Sequence, residues 1–174
     1  KFADNIPIVQ NRFENLNLAG YNKQSKDVLI PAFLAAYTGK SANTQALTPF
    51  PQLPIPNWRL DYNGLNKIGN LKDIFQSITL THAYSSTYSV TNFTNSLQYT
   101  NVANIPLKDY NTGSNYGNII NPETGNVVPI YVISQVMISE TFAPLIGVNV
   151  RTKNKFTARF ELKTKRDVSL NISN

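Results

Sequence analysis

Side chains able to do chemistry are few in this chain, and none is spaced for it. His82 is the sole histidine and cysteine is absent, which leaves no thiolate metal site, no disulfide and no His-rich cluster. Any catalytic triad that relies on histidine would have to use His82. That residue lies inside the alternating run ITLTHAYSSTYSV, where a lone imidazole reads as a packed or interfacial polar group. Glu140 and Glu161 have no partner carboxylate at a spacing suited to acid–base work. No glycine loop precedes a helix to cradle a phosphate. Asn92-Phe93-Thr94 and Asn171-Ile172-Ser173 match the N-glycosylation acceptor, a motif that an asparagine-rich chain meets by chance. The expectation is a protein that is not an enzyme, with no catalytic residue, no cofactor and no metal.

The elements carry more. From Leu145 to Asn174 apolar side chains fall at every second position: Ile146, Val148 and Val150, then Phe156, Ala158, Phe160 and Leu162, then Val168, Leu170 and Ile172. Between them stand Asn149 and Arg151, then Thr157, Arg159, Glu161 and Lys163, then Ser169 and Asn171. Alternation with period two makes strands with one apolar and one polar face. Segments of this kind joined by short polar turns are those of a transmembrane β-barrel wall, and equally of an antiparallel sheet with one wet face. Because all the apolar positions are even-numbered, both turns must hold an odd number of residues. Three-residue turns at Lys153–Lys155 and Thr164–Arg166 satisfy this. They set Val150 against Ala158, Val148 against Phe160 and Ile146 against Leu162, and then Leu162 against Val168 with Lys163 facing Asp167.

Composition narrows the class. The chain has 174 residues, 41% hydrophobic and 15% charged, with Asn, Ser, Thr and Tyr plentiful; this suits a cell-envelope β-protein of one domain. Of the formal charge of +6, the stretch from Arg151 to Asp167 supplies seven basic and two acidic residues. A nucleic-acid groove would set basic residues beside stacking aromatics. Here Phe156 and Phe160 take the opposite face from Arg159 and Lys163, so no nucleic-acid partner is expected. The longest apolar run, VLIPAFLAAY from Val28, is too short to cross a membrane as a helix and contains Pro31.

Upstream, residues 1–57 read as irregular with one short helix, beginning after Asp27 and ending at Gly39. A proline cluster (Pro49, Pro51, Pro54, Pro56) then leads to Trp58, Leu60 and Tyr62, which alternate before Asn63-Gly64. Residues 58–103 are expected to be strands, 104–127 a Gly/Asn/Pro-rich loop, and 128–174 strands again. About six strand segments result. That is fewer than the eight a barrel needs to close, so the expectation is that other parts of a longer polypeptide supply the rest.

Three stretches resemble a known family. PNWRLDYNGL at 56–65, ITLTHAYSSTYSV at 78–90 and ISETFAPLIGVNVRTKNKFTARFELKTKRDVSLNIS at 138–173 are similar to the SprA (Sov) family. These are the giant outer-membrane translocons of the type IX secretion system of Bacteroidetes, linked to gliding motility. DVLIPAFLAAYTGK at 27–40 also resembles it. The resemblance implies an all-β fold, antiparallel strands forming part of a very large transmembrane β-barrel in the bacterial outer membrane. Short helical and irregular segments would lie inside or below it. It implies a protein-conducting pore that passes folded cargo bearing a C-terminal sorting signal, with a PorV-type shuttle barrel and a periplasmic plug protein as partners. In such a wall Ile146, Val148, Val150, Phe156, Phe160, Leu162, Val168, Leu170 and Ile172 would face lipid. Asn149, Arg151, Arg159, Glu161 and Lys163 would face the lumen. The alternative is a soluble, surface-exposed β-sandwich binding module or adhesin, with the same apolar face buried under a second sheet.

Overall fold

Long antiparallel strands dominate the computed structural model, which describes residues 1–50, 57–99 and 119–172. Two helices come first: α1 over Phe2–Asn15 and α2 over Lys26–Thr38. Strand β1 over Trp58–Tyr62 follows, then the short helix α3 over Leu71–Ile74, then β2 over Phe75–Asn95, β3 over Tyr131–Thr152 and β4 over Thr157–Asn171. The four strands form one sheet in the order β1-β2-β3-β4. The chain divides into two compact units, one holding residues 1–52, 90–136 and 169–174, the other holding 53–89 and 137–168.

In the first unit, α1 and α2 pack together around Val9, Phe13, Val28, Ala32 and Ala35. Helix α2 ends as its sequence requires, with Gly39 in the left-handed region at φ 74° closing the last turn. Pro31 sits inside the helix. Helix α1 corrects the reading of residues 1–57, which expected a single helix. Phe2, Ile6, Val9 and Phe13 recur at helical spacing and are the side chains it turns to the core. Phe13 stacks on Tyr21 with ring centres 4.1 Å apart. Arg12 donates to the carbonyls of Ala42 and Gln45, both at 2.7 Å, and so holds down the chain after α2. Phe50, Phe93 and Tyr131 form a further aromatic cluster in this unit, with ring centres 4.9–5.7 Å apart.

The strands are fewer and longer than the alternation suggested. β2, β3 and β4 have 21, 22 and 15 residues, where about 5–6 is usual. The expected turn at Lys153–Lys155 is present: Lys155 takes φ 66° and donates to Thr152 O, and Thr152 N–H bonds Phe156 O at 2.8 Å. That rung has the register that sets Val150 against Ala158. The expected turn at Thr164–Arg166 is not a turn, because β4 runs straight through it. Asp167 consequently has no cross-strand pairing with Lys163. It accepts from Ser139 Oγ at 2.6 Å and pairs with Lys165, two residues away on its own strand, at 2.9 Å. The part of the 104–127 loop up to residue 118 lies outside the described residues, as do residues 51–56 of the proline cluster.

A bulge in β3 separates two registers. Thr152 pairs with Phe156 at one end, and Ile172 N–H bonds Ser134 O at the other. Between these rungs β3 advances eighteen residues and β4 only sixteen. The two extra residues on β3 keep the parity of the faces. Pro144 is the residue of β3 that can donate no ladder hydrogen bond, and it is buried beside Gly147, where an added Cβ would meet Pro144 Cγ at 2.8 Å.

Candidate functional site

Within the second unit the sheet has two chemically opposite faces, and each is a candidate surface. On the odd-numbered face, charges stand two residues apart along β1 and β4, which is the strand spacing that puts side chains on one side. Arg59 Nε donates to Asp61 Oδ2 at 2.8 Å, and Thr81 Oγ1 donates to Asp61 Oδ1 at 2.7 Å. On β4, Arg159 Nε donates to Glu161 Oε1 at 3.0 Å and Lys163 Nζ lies 3.1 Å from Glu161 Oε2. These residues line an open cleft of about 360 Å³, floored by Gly147 and Pro144. Asp61 is held by one cation and a hydroxyl and Glu161 by two cations, so the face is polar and nearly balanced, with three positive and two negative side chains among Arg59, Asp61, Arg159, Glu161 and Lys163.

The even-numbered face is layered. One layer is apolar and uncovered: Leu60, Ile146, Phe160 and Leu162 are all exposed, Phe160 at 62%. Beside it an aromatic row crosses the strands. Trp58 and Tyr84 have ring centres 4.5 Å apart, Tyr84 and Phe142 4.7 Å, and His82 and Phe142 5.7 Å. Trp58 lies opposite Tyr84 in the β1–β2 ladder, with Leu60 opposite His82. The row is bounded by polar groups. Tyr84 Oη donates to Glu140 Oε1 at 2.8 Å, and Arg166 Nε donates to Glu140 Oε2 at 2.7 Å. Apolar side chains, then aromatics with polar tips, then charges is the sequence of layers from hydrocarbon to water at a membrane interface.

His82 is placed by this arrangement. Its Nδ1 lies 2.6 Å from the Leu145 carbonyl, which can only accept, so Nδ1 carries the proton. The imidazole thereby satisfies a main-chain oxygen next to the β3 bulge while its ring joins the aromatic row.

The residues singled out by alternation divide by exposure. Ile146, Phe156, Phe160 and Leu162 are exposed, whereas Val148, Val150, Val168 and Leu170 are half-buried. Ile172 is buried in the first unit. Asn149, Arg151, Arg159 and Lys163 are exposed and Glu161 is half-buried between its two cations. Reasoning from the sequence missed the Glu140–Arg166–Tyr84 group, because Arg166 was assigned to a turn. With Arg166 on a strand its even number puts it beside Glu140, and the parity signal would have found it. Among the described residues no three His, Asp or Glu side chains come together to hold a metal ion. No helix there is long and apolar enough to cross a membrane, which says nothing of crossing by strands. Compared with models of protein families and with curated proteins, the chain matches none significantly.

Proposed function

We propose that this chain forms part of the wall of a very large outer-membrane β-barrel. We take that barrel to be the protein-conducting pore of the type IX secretion system, which carries folded cargo to the cell surface. The observation that carries the membrane reading is the uncovered apolar layer on one face of the sheet, edged by the aromatic row and the Glu140–Arg166 pair, with a hydrated charge ladder on the other face. In water that apolar layer would seek cover; in lipid it is the solvent-matched surface. A β-sandwich would cover it with a second sheet, but the described strands make one sheet only. Strand length supports the same reading. Twenty-one or twenty-two residues reach about 70 Å at about 3.3 Å per residue, enough to cross a bilayer and project beyond it, since about 9–11 residues span the hydrocarbon.

The resemblance of residues 56–65, 78–90 and 138–173 to the SprA family narrows the barrel to the type IX translocon. On this reading the odd face lines the lumen. Its carboxylates are each held by a cation of the same strand, which leaves a hydrated face with a small excess of positive charge. Cargo with a C-terminal sorting signal, a PorV-type shuttle barrel, a periplasmic plug and the remaining strands of the same barrel are the partners. Helices α1 and α2 stand in the lumen or periplasm.

Cysteine labelling tests the assignment, since these 174 residues contribute no thiol besides the one introduced. In outer membranes Glu161→Cys should react with a water-soluble maleimide, while Phe160→Cys should react only after detergent is added. Equal reactivity of the two before detergent would overturn the reading.

A further inference from the structure

Lys26 is held where a cation is least welcome. It is the first residue of the thirteen-residue helix α2, at the positive end of the helix dipole. Its side chain is 8% exposed, and among the described residues its ammonium has no hydrogen-bond partner. Ser25, the N-cap, makes no side-chain hydrogen bond to the helix; its hydroxyl donates to Asn22 Oδ1 at 3.1 Å instead. Burial accordingly holds the Lys26 amine below its ordinary range and pushes the neighbouring Asp27 carboxyl above its own. Both residues line a cavity of about 210 Å³ in the first unit, whose other walls include Tyr21, Leu47, Tyr99 and Tyr131.

We propose that this cavity is a binding site for a small organic carboxylate, with the Lys26 ammonium as its counter-ion and the tyrosine and leucine walls holding its apolar body. One anion there would answer three costs together: a buried ammonium with Asp27 nearby but no hydrogen-bond acceptor of its own among the described residues, an uncapped helix start and a cation at the wrong end of a dipole. The choice of anion follows from the walls. Asp27 shares the cavity and is the electrostatic neighbour of Lys26, so every negative charge on an incoming anion meets repulsion, which a doubly charged phosphate suffers twice and a monocarboxylate once. Three aromatic rings and a leucine fit an aromatic or short aliphatic tail better than a hydrated ion. The site is made entirely of residues of the first unit and does not depend on the barrel reading.

The test uses benzoate as probe and benzyl alcohol as its uncharged counterpart, titrated by calorimetry against the intact protein purified from its source, in detergent where it partitions with membrane, and against its Lys26→Met variant. Benzoate should bind saturably, one per chain, and at least about tenfold more tightly than benzyl alcohol, the ratio a charge-assisted hydrogen bond supplies. That preference should vanish in Lys26→Met, which should nevertheless melt at the same or a higher temperature, because a buried ammonium that lacks a hydrogen bond among the described residues has been replaced by an apolar chain of similar length. Three results would each overturn the proposal: no saturable benzoate binding, equal binding of benzoate and benzyl alcohol by the unsubstituted chain, or a lower melting temperature for Lys26→Met. The last would mean that the ammonium already has a partner within the fold. The comparison of the two probes on the unsubstituted chain stands even if the variant does not fold.

Discussion

Phe160 and Glu161 are neighbours on β4 that point to opposite solvents on the barrel reading, and they make that reading testable one residue at a time. Phe160→Arg should reduce the amount of protein assembled in the outer membrane, because a cation facing lipid costs about 2–4 kcal/mol near the bilayer midplane. Glu161→Gln should leave assembly unchanged, since it keeps the shape and removes only a charge from a hydrated face. Equal loss for both variants would contradict the face assignment. Asp27 gives a second residue-scale test, by pH. Its folded-state carboxyl is raised by burial above the unfolded value. Stability from this group is therefore full below the unfolded pKa and is lost as pH rises through the folded one. Asp27→Asn should melt higher than the unsubstituted chain at pH 7, and the difference should close at pH 3, by circular dichroism at α-helical wavelengths. An unchanged difference across that range would show that Asp27 does not titrate with folding.

The elements were legible in proportion to how far local pattern decides them. Helix α2 could be read from Asp27 to Gly39 because an apolar core run ends on a glycine able to adopt φ 74°. Helix α1 was not read. Its Phe2–Ile6–Val9–Phe13 face is diluted by asparagines and by Pro7, and what orders it is packing on α2 and the Arg12 bonds to Ala42 and Gln45. The alternation in the C-terminal third can assign a face to each residue because a strand's parity is local. Strand continuity is not local. Thr164, Lys165 and Arg166 have turn-like polarity, yet Glu140 on β3 gives Arg166 a partner and the strand persists. The β3 bulge was invisible for the same reason: an even number of extra residues leaves parity untouched. Its tight packing is testable. Gly147→Val should destabilise the sheet by about 1–3 kcal/mol, since even a Cβ would come within 2.8 Å of Pro144 Cγ. Gly39→Val, where nothing lies within 4 Å but φ is positive, should disturb only the end of α2. Heat-modifiability of the two variants on native gels separates these effects. A Gly147→Val protein as heat-resistant as the unsubstituted chain would show that the bulge is not close-packed.

At the scale of the molecule, the sheet is open. β1 and β4 are its outer strands, and in lipid an outer strand's unpaired amides and carbonyls must find partners. The central claim is therefore that these four strands are one arc of a wall completed by further strands of the same polypeptide. A blot of fractionated source cells, with an antibody raised against Asn57–Leu65, tests it most directly. The account predicts a band far larger than the 19.4 kDa of this chain, found in the outer-membrane fraction. A band near 19.4 kDa in a soluble or secreted fraction would contradict it.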